Sequence, residues 1–291
     1  MKKITFLLLL SCISFKTIAQ NYTQEIDRVY QYLDKTPINS NILIDRVYSL
    51  AKLQDFNQNT QIDTSSYKHF KQAWSELYTA SYVKNFSTVN QLKDRLFSKN
   101  YTDNEVPIGI INTEFHERDF GDTQATAKVT YTNGYFYNIT NIIPFKKKQA
   151  TIIAPLVTQA IGSVISFKTD NLFKLYKQGK QIKTLQLITN GSTFTLISNH
   201  NLINGNFSTS YNASGLQSLR FVITYSDNTT RTTYGEVYIE VPSNYQAKSN
   251  VSSVLSITAD DDLAFKGYDE NVAVKGRNEY RVYYNDAGKI L

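Results

Sequence analysis

The chain has 291 residues, 31 Lys and Arg against 25 Asp and Glu, and a single cysteine. The formal net charge is +6, of which three charges belong to the first 19 residues, and the remaining +3 is too mild to argue for nucleic acid; one cysteine excludes a disulfide scaffold. With 21 Tyr and 16 Phe but only 12 Gly and 5 Pro, the composition excludes a largely disordered chain.

Residues 1–19 read as an export signal. Lys2 and Lys3 precede the mostly apolar run Ile4–Phe15, which is too short to span a bilayer, and Thr17-Ile18-Ala19 offers small residues for cleavage before Gln20. Cleavage there removes Lys2, Lys3 and Lys16 and no acid, so the net charge falls from +6 to +3. It also removes Cys12, leaving no thiol. A second reading takes Leu9-Leu10-Ser11-Cys12 as a lipoprotein box with a lipid anchor at Cys12. No later apolar run reaches membrane length.

From 20 to 105 the apolar period is helical. Ile26, Val29, Tyr30 and Leu33 share a face of a first helix that should stop before Pro37. Ile42, Ile44, Val47, Tyr48 and Leu50 suggest a second, ending near Phe56. Ser65 or Ser66 can cap a third, striped by Tyr67, Phe70, Trp74, Leu77 and Tyr78. Thr88-Val89-Asn90-Gln91 is a capping-box pattern that opens a fourth.

Val106-Pro107-Ile108-Gly109-Ile110-Ile111 begins a switch to strands. Ala125, Ala127, Val129 and Tyr131 alternate with polar residues, and Asn133-Gly134 then supplies a two-residue hairpin turn that sets Tyr131 opposite Phe136. Further strands are expected at 151–153, 164–167 and 172–176. Leu219, Phe221, Ile223 and Tyr225 form one apolar row, Asp227–Thr230 is turn chemistry, and Val237, Ile239 and Val241 form the returning row. Two such strands make an antiparallel pair with one buried face. Residues 243–253 are polar and weakly patterned, and Glu279–Tyr284 reads as a last strand.

Tyr211, Gly215 four residues later, and the alternation at Leu219, Phe221 and Ile223 resemble the polycystic-kidney-disease (PKD) type of immunoglobulin-like sandwich. That family's upstream Phe-Gly-Asp-Gly turn is reduced here to Ile188-Thr189-Asn190-Gly191. More widely, Ile42–Tyr48, Tyr67–Tyr78 around Trp74, Val106–Ile111, Ala154-Pro155-Leu156 and the PKD-like block resemble the N-terminal region of large secreted bacterial proteins. In that family the stretch of Gly267-Tyr268 and Lys275-Gly276 leads into an esterase-like α/β-hydrolase domain. The resemblance implies that this chain is the non-catalytic front part of a longer architecture, or a truncated reading frame.

His116 lies in Glu114-Phe115-His116-Glu117-Arg118-Asp119, near Asp122. The run has the composition of a metal site without the second His of H-E-x-x-H, and a polar strand end running into a loop is the plainer reading. Asp260-Asp261-Asp262 lacks calcium-loop spacing and reads as a solvated acidic loop. Lys146-Lys147-Lys148 beside Tyr135, Phe136 and Tyr137 could read a glycan, but a solvated basic loop is the simpler expectation. The Tyr-rich hairpin face either packs under a second sheet or is an exposed binding face. Trp74 is expected in the core. No G-x-S-x-G elbow occurs around Ser163, Ser192 or Ser214, and nothing in sequence places a nucleophile beside His69, His116 or His200.

The fold expected is α+β: a signal at 1–19, a helical region at 20–105, a hairpin-containing region packed with the helices at 106–160, a PKD/immunoglobulin-like sandwich at 161–245, and at 246–291 a linker and the start of a further domain. The function expected is an exported, adhesion-like accessory or binding region, secreted or at the cell surface. Its partner would be a downstream hydrolase domain or a cell-surface polymer, and not nucleic acid. The alternatives are the N-terminal fragment of a secreted esterase and a surface lipoprotein that binds glycans. No catalytic residue, metal ligand or cofactor is assigned.

Overall fold

The computed structural model describes residues 22–56 and 64–242, together with short strands at 254–258 and 277–281. Its helices are α1 (22–29), α2 (Tyr67–Ala80) and α3 (Val89–Ser98). In chain order the strands are β1 (Thr64–Ser65), β2 (Glu105–Arg118), β3 (Val129–Thr132), β4 (Tyr135–Asn138), β5 (Phe145–Pro155), β6 (Gln159–Ile161) and β7 (Val164–Lys177). They continue as β8 (Ile182–Thr189), β9 (Ser192–Ser198), β10 (Asn201–Leu202), β11 (Asn206–Ser210), β12 (Gly215–Tyr225), β13 (Thr230–Glu240), β14 (Val254–Thr258) and β15 (Arg277–Arg281). The class is therefore α+β, dominated by strands.

The chain divides at Val241/Pro242 into two compact units. The first is layered. One sheet runs β11-β7-β2-β5; the other runs β1-β13-β12-β8-β9-β10, with β6 also on β13. Between the sheets lies a core of Val106, Ile108, Ile110, Ile153 and Phe167 against Leu187, Leu219, Phe221, Ile223 and Ile239. The row predicted at 219–225 is fully buried there, because the period of two sends every second side chain to one face. On its far side the four-stranded sheet carries the helices, whose core joins Phe70, Trp74 and Leu77 to Ile111, Phe115 and Ile152.

β2 is buried from Val106 to Glu117; its first half, Val106–Ile111, reads as an unbroken apolar run for that reason, while its second half buries polar side chains. Gly109 marks where α2 comes closest: a Cβ there would lie 2.6 Å from Phe70 Cζ and from Leu156. The segments set apart in sequence at 20–105, 106–160 and 161–245 thus share two cores through β2 and β5.

The caps form as their chemistry dictates. Ser66 accepts from the His69 N–H at the start of α2, and Thr88 and Gln91 close a reciprocal capping box on α3. Asn133 and Gly134 both take positive φ, 52° and 81°, and pair Tyr131 with Phe136 in the hairpin β3–β4. One side of that hairpin joins a third core with Tyr30, Phe120 and Phe136.

Four expectations are corrected. The second helix is replaced by two 3-10 turns, Ile44–Arg46 and Leu53–Phe56. Ile42 and Leu43 instead bridge Ser81 and His116, so the local backbone bonds across the fold and not along itself. The strand expected from Ala125 begins at Val129, because Thr123 and Thr126 cap a 3-10 turn over Gln124–Thr126. The β-structure is not wholly antiparallel: β2–β7, β1–β13 and β6–β13 are parallel pairs. The runs expected at 164–167 and 172–176 are one strand, β7.

In the second unit β14 and β15 pair antiparallel, from Val254↔Arg281 to Thr258↔Arg277. The export signal, Cys12, the linker at 243–253, Asp260–Asp262, Gly267-Tyr268 and Lys275-Gly276 lie outside the described residues.

Candidate functional site

An open groove of about 580 Å³ forms where the connection after α2, the first turns of α3 and an outward step of β7 meet. The connection is locked to the helix at both ends. The Trp74 indole N–H donates to the Ser87 carbonyl at 2.7 Å, and Phe86 packs edge-on to Trp74 and Tyr78 with ring centres 5.8 and 5.5 Å away. Between these anchors Lys84 folds back over the end of α2. Its ammonium donates to the Tyr78 and Thr79 carbonyls, the second at 3.0 Å, where the helix C-terminus favours a cation.

β7 supplies the opposite wall. Its register against β2 runs from Ile108↔Thr169 to Ile110↔Lys174, so residues 170–173 step out of the ladder. Phe173 points into the helix-side core, whereas Asn171 and Leu172 are exposed at the groove.

The groove is cationic. Lys84, Arg95 and Lys174 line it, and Lys177 stands over the Phe86 ring at 4.7 Å. Among the described residues none of these four forms an ion pair with a carboxylate, and no carboxylate lines the groove. Asp170, the acid nearest along β7, is taken by Lys99 at 2.6 Å. Burial lowers the Lys84 ammonium to about 8, with Arg46 and Lys177 adding repulsion and Asp27 opposing. Burial also lowers Lys174 and Lys177. Partly desolvated cations without counter-charge are each stabilised by an arriving anion.

The residues singled out in sequence lie elsewhere. His116 lies near the C-terminal end of β2, which runs out into a loop at Asp119 as expected; the end is buried, with His116 at 3% exposure and Glu114 on the same face. Its Nδ1 meets the Ser40 hydroxyl at 3.1 Å. Ser40 is 2% exposed and its oxygen also accepts from the Ile42 N–H at 3.2 Å, so the pair is sealed and already bonded. Burial lowers the His116 pKa, Glu114 opposing and Lys147 adding to the fall. Asp119 pairs with Lys128, and among the described residues no group of three or more His, Cys, Asp or Glu is placed to hold a metal.

The run Lys146-Lys147-Lys148 is corrected from a loop to part of β5. Lys146 and Lys148 reach Glu117 at 2.9 and 3.0 Å, and Lys147 reaches Glu114 at 3.2 Å. Strand alternation sends the outer two and the middle one to opposite faces, where β2 presents matching acids. Trp74 is in the core at 2% exposure. His69 Nε2 bonds the Ala51 carbonyl and His200 Nδ1 the Ile182 carbonyl. Ser192 meets Thr209 and Ser214 meets Val241. Tyr135 and Tyr137 of the hairpin sit against Tyr32, which stacks on Tyr137 at 4.9 Å and is 53% exposed.

Sequence reading passed over Lys84, Arg95, Lys174 and Lys177 because they come from a connection, a helix and a strand edge. The only trace was a cation two residues from an aromatic, in Lys84-Asn85-Phe86 and Lys174-Leu175-Tyr176. Comparison with protein-family models, with curated proteins and with solved structures finds no match.

Proposed function

We propose that this chain is an exported, non-catalytic binding region that holds its ligand in the groove beside α3, and that it serves as the accessory front part of a larger secreted protein. The observation that carries the binding role is an open, concave groove whose lining cations Lys84, Arg95 and Lys174 pair with no carboxylate among the described residues. Export rests on Lys2, Lys3 and the apolar run before Ala19. Acyl transfer is the weaker reading, since Ser40 and His116 are sealed and a substrate carbonyl must reach the nucleophile.

Within this reading the strand-rich half is of the PKD/immunoglobulin type. Support comes from Tyr211, buried with its hydroxyl on Thr189 at 2.7 Å, and from Gly215 opening β12 at φ 155°. The departure from that type is the sharing of β2 and β5 with the helical layer.

The test is retention of purified residues 20–291 on an array of neutral and acidic surface polysaccharides. Binding that is lost with Asn171→Trp, which fills the groove from its rim, supports the reading. Binding untouched by that substitution moves the ligand elsewhere. Stoichiometric labelling of Ser40 by a fluorophosphonate, lost in His116→Ala, would replace this reading with an enzyme.

A further inference from the structure

We infer that the groove takes an acidic polysaccharide, a sugar chain bearing carboxylate or sulfate groups; this deepens the proposed binding role and rests on the groove being the ligand site.

The charge argument comes first. Three cations from three elements, Lys84, Arg95 and Lys174, line one concave surface, with Lys177 over the Phe86 ring beside it, and none forms an ion pair with a carboxylate among the described residues. Elsewhere Lys146, Lys147 and Lys148 each meet an acid, as do Lys128 and Lys168. Burial weighs most against the Lys84 ammonium, with repulsion from Arg46 and Lys177 adding to it and Asp27 opposing. An anion entering the groove beside Lys84 offsets that penalty, whereas a neutral ligand leaves it in place.

The choice of a sugar over a nucleic acid follows from the rings. Single strands bind by stacking bases on exposed aromatic faces. Here the faces are occupied: Lys84 lies over Tyr78 at 4.9 Å, Lys177 over Phe86 at 4.7 Å and Lys174 over Tyr176 at 4.2 Å. Trp74 is buried. What remains toward solvent is amide: Asn85 and Asn171 stand between the cations, with the Gln91 NH2 group left over from the capping box of α3. Those groups suit a ligand dense in hydroxyls, with each sugar offering several donors and acceptors for every charge. A folded acidic protein fits less well. Protein interfaces have an apolar centre, and the exposed apolar side chain in this lining is Leu172, at 39%.

The experiment titrates purified residues 20–291 with four polymers: polygalacturonate, dextran sulfate, fully methyl-esterified polygalacturonate and oligothymidylate. Binding to polygalacturonate or dextran sulfate is expected, and which of the two binds tells carboxylate from sulfate. Affinity should fall at least tenfold between low and high salt. The methyl ester should bind at least tenfold more weakly than its parent. Lys84→Gln combined with Lys174→Gln should weaken binding at least tenfold while the circular-dichroism spectrum and cooperative melt are retained. Lys180→Gln with Lys183→Gln removes the same charge on other elements and should change it less than twofold.

Equal binding of the methyl ester, tighter binding of oligothymidylate, equal losses from the two double variants, or no binding to either acidic polymer each overturns the inference. Methyl-ester binding that Asn171→Trp still abolishes would leave the groove as the ligand site while refuting its charge selectivity.

Discussion

Trp74 shows how one side chain can tie a helix to the segment that follows it. Its ring packs on Phe70 and Phe86, and its N–H satisfies the Ser87 carbonyl. Trp74→Ala is expected to cost 3–5 kcal/mol, on the order seen for large-to-small core changes, measured by urea unfolding. An unchanged midpoint would put the indole outside the core. Glu76 holds a different segment, with one carboxylate oxygen accepting from the Leu50 and Ala51 N–H groups at 2.7 and 2.8 Å. Glu76→Gln keeps an acceptor there and should cost little. Glu76→Ala strands both donors and should cost roughly 1–3 kcal/mol; equal costs for the two variants would refute the assignment. Lys84 supplies a test in pH. Its folded pKa, about 8, lies below the ordinary 10.5, so between those values the unfolded chain holds more protons and stability rises with pH. The penalty is full below pH 8 and relieved above it. Relative to Lys84→Gln, the wild type should therefore gain stability from pH 7 to pH 10, and a constant gap would contradict the assigned burial.

At the scale of elements, local chemistry decided what it could reach. The hairpin turn needs positive φ at both central residues, and Gly134 sits at 81° with open space around its absent Cβ. Gly134→Val is therefore strained by backbone alone and should lose about 1–2 kcal/mol, read as loss of amide protection across residues 129–138. Retained protection would remove that claim. The caps at Ser66 and Thr88 were legible because a side-chain oxygen reaches only its own helix N-terminus. The helix expected over 42–56 was not. Its apolar residues had helical spacing, but the backbone at Ile42 is claimed by the Ser81 bridge and the His116 N–H, both remote in sequence. Likewise, nothing around Lys146–Lys148 named Glu114 and Glu117 as partners until β2 and β5 paired.

Across the whole first unit, β2 and β5 serve two cores at once. Cutting the chain before residue 106 would bare Ile111, Phe115, Ile152 and Phe173 where α2 and α3 had covered them. Residues 106–242 alone are expected to collapse without a cooperative melt, as judged by calorimetry, while residues 20–242 unfold in one transition. A sharp melt of the shorter fragment would show the sandwich to be self-sufficient. The groove belongs to the same scale, because its walls come from the helical layer and from the edge of the sheet beneath it.

The sequence by itself determined the α+β class, the starts of α2 and α3, the hairpin at Asn133-Gly134 and the buried row from Leu219 to Tyr225, since each depends on periods and caps within a few residues. Only the tertiary structure decided that β2 pairs parallel with β7 and that Ser40 meets His116. It also decided that Lys84, Arg95 and Lys174, from a connection, a helix and a strand, face one groove. Those are contacts between residues far apart in the chain, fixed by how the two sheets and the helical layer bury their faces together, and no local pattern encodes them.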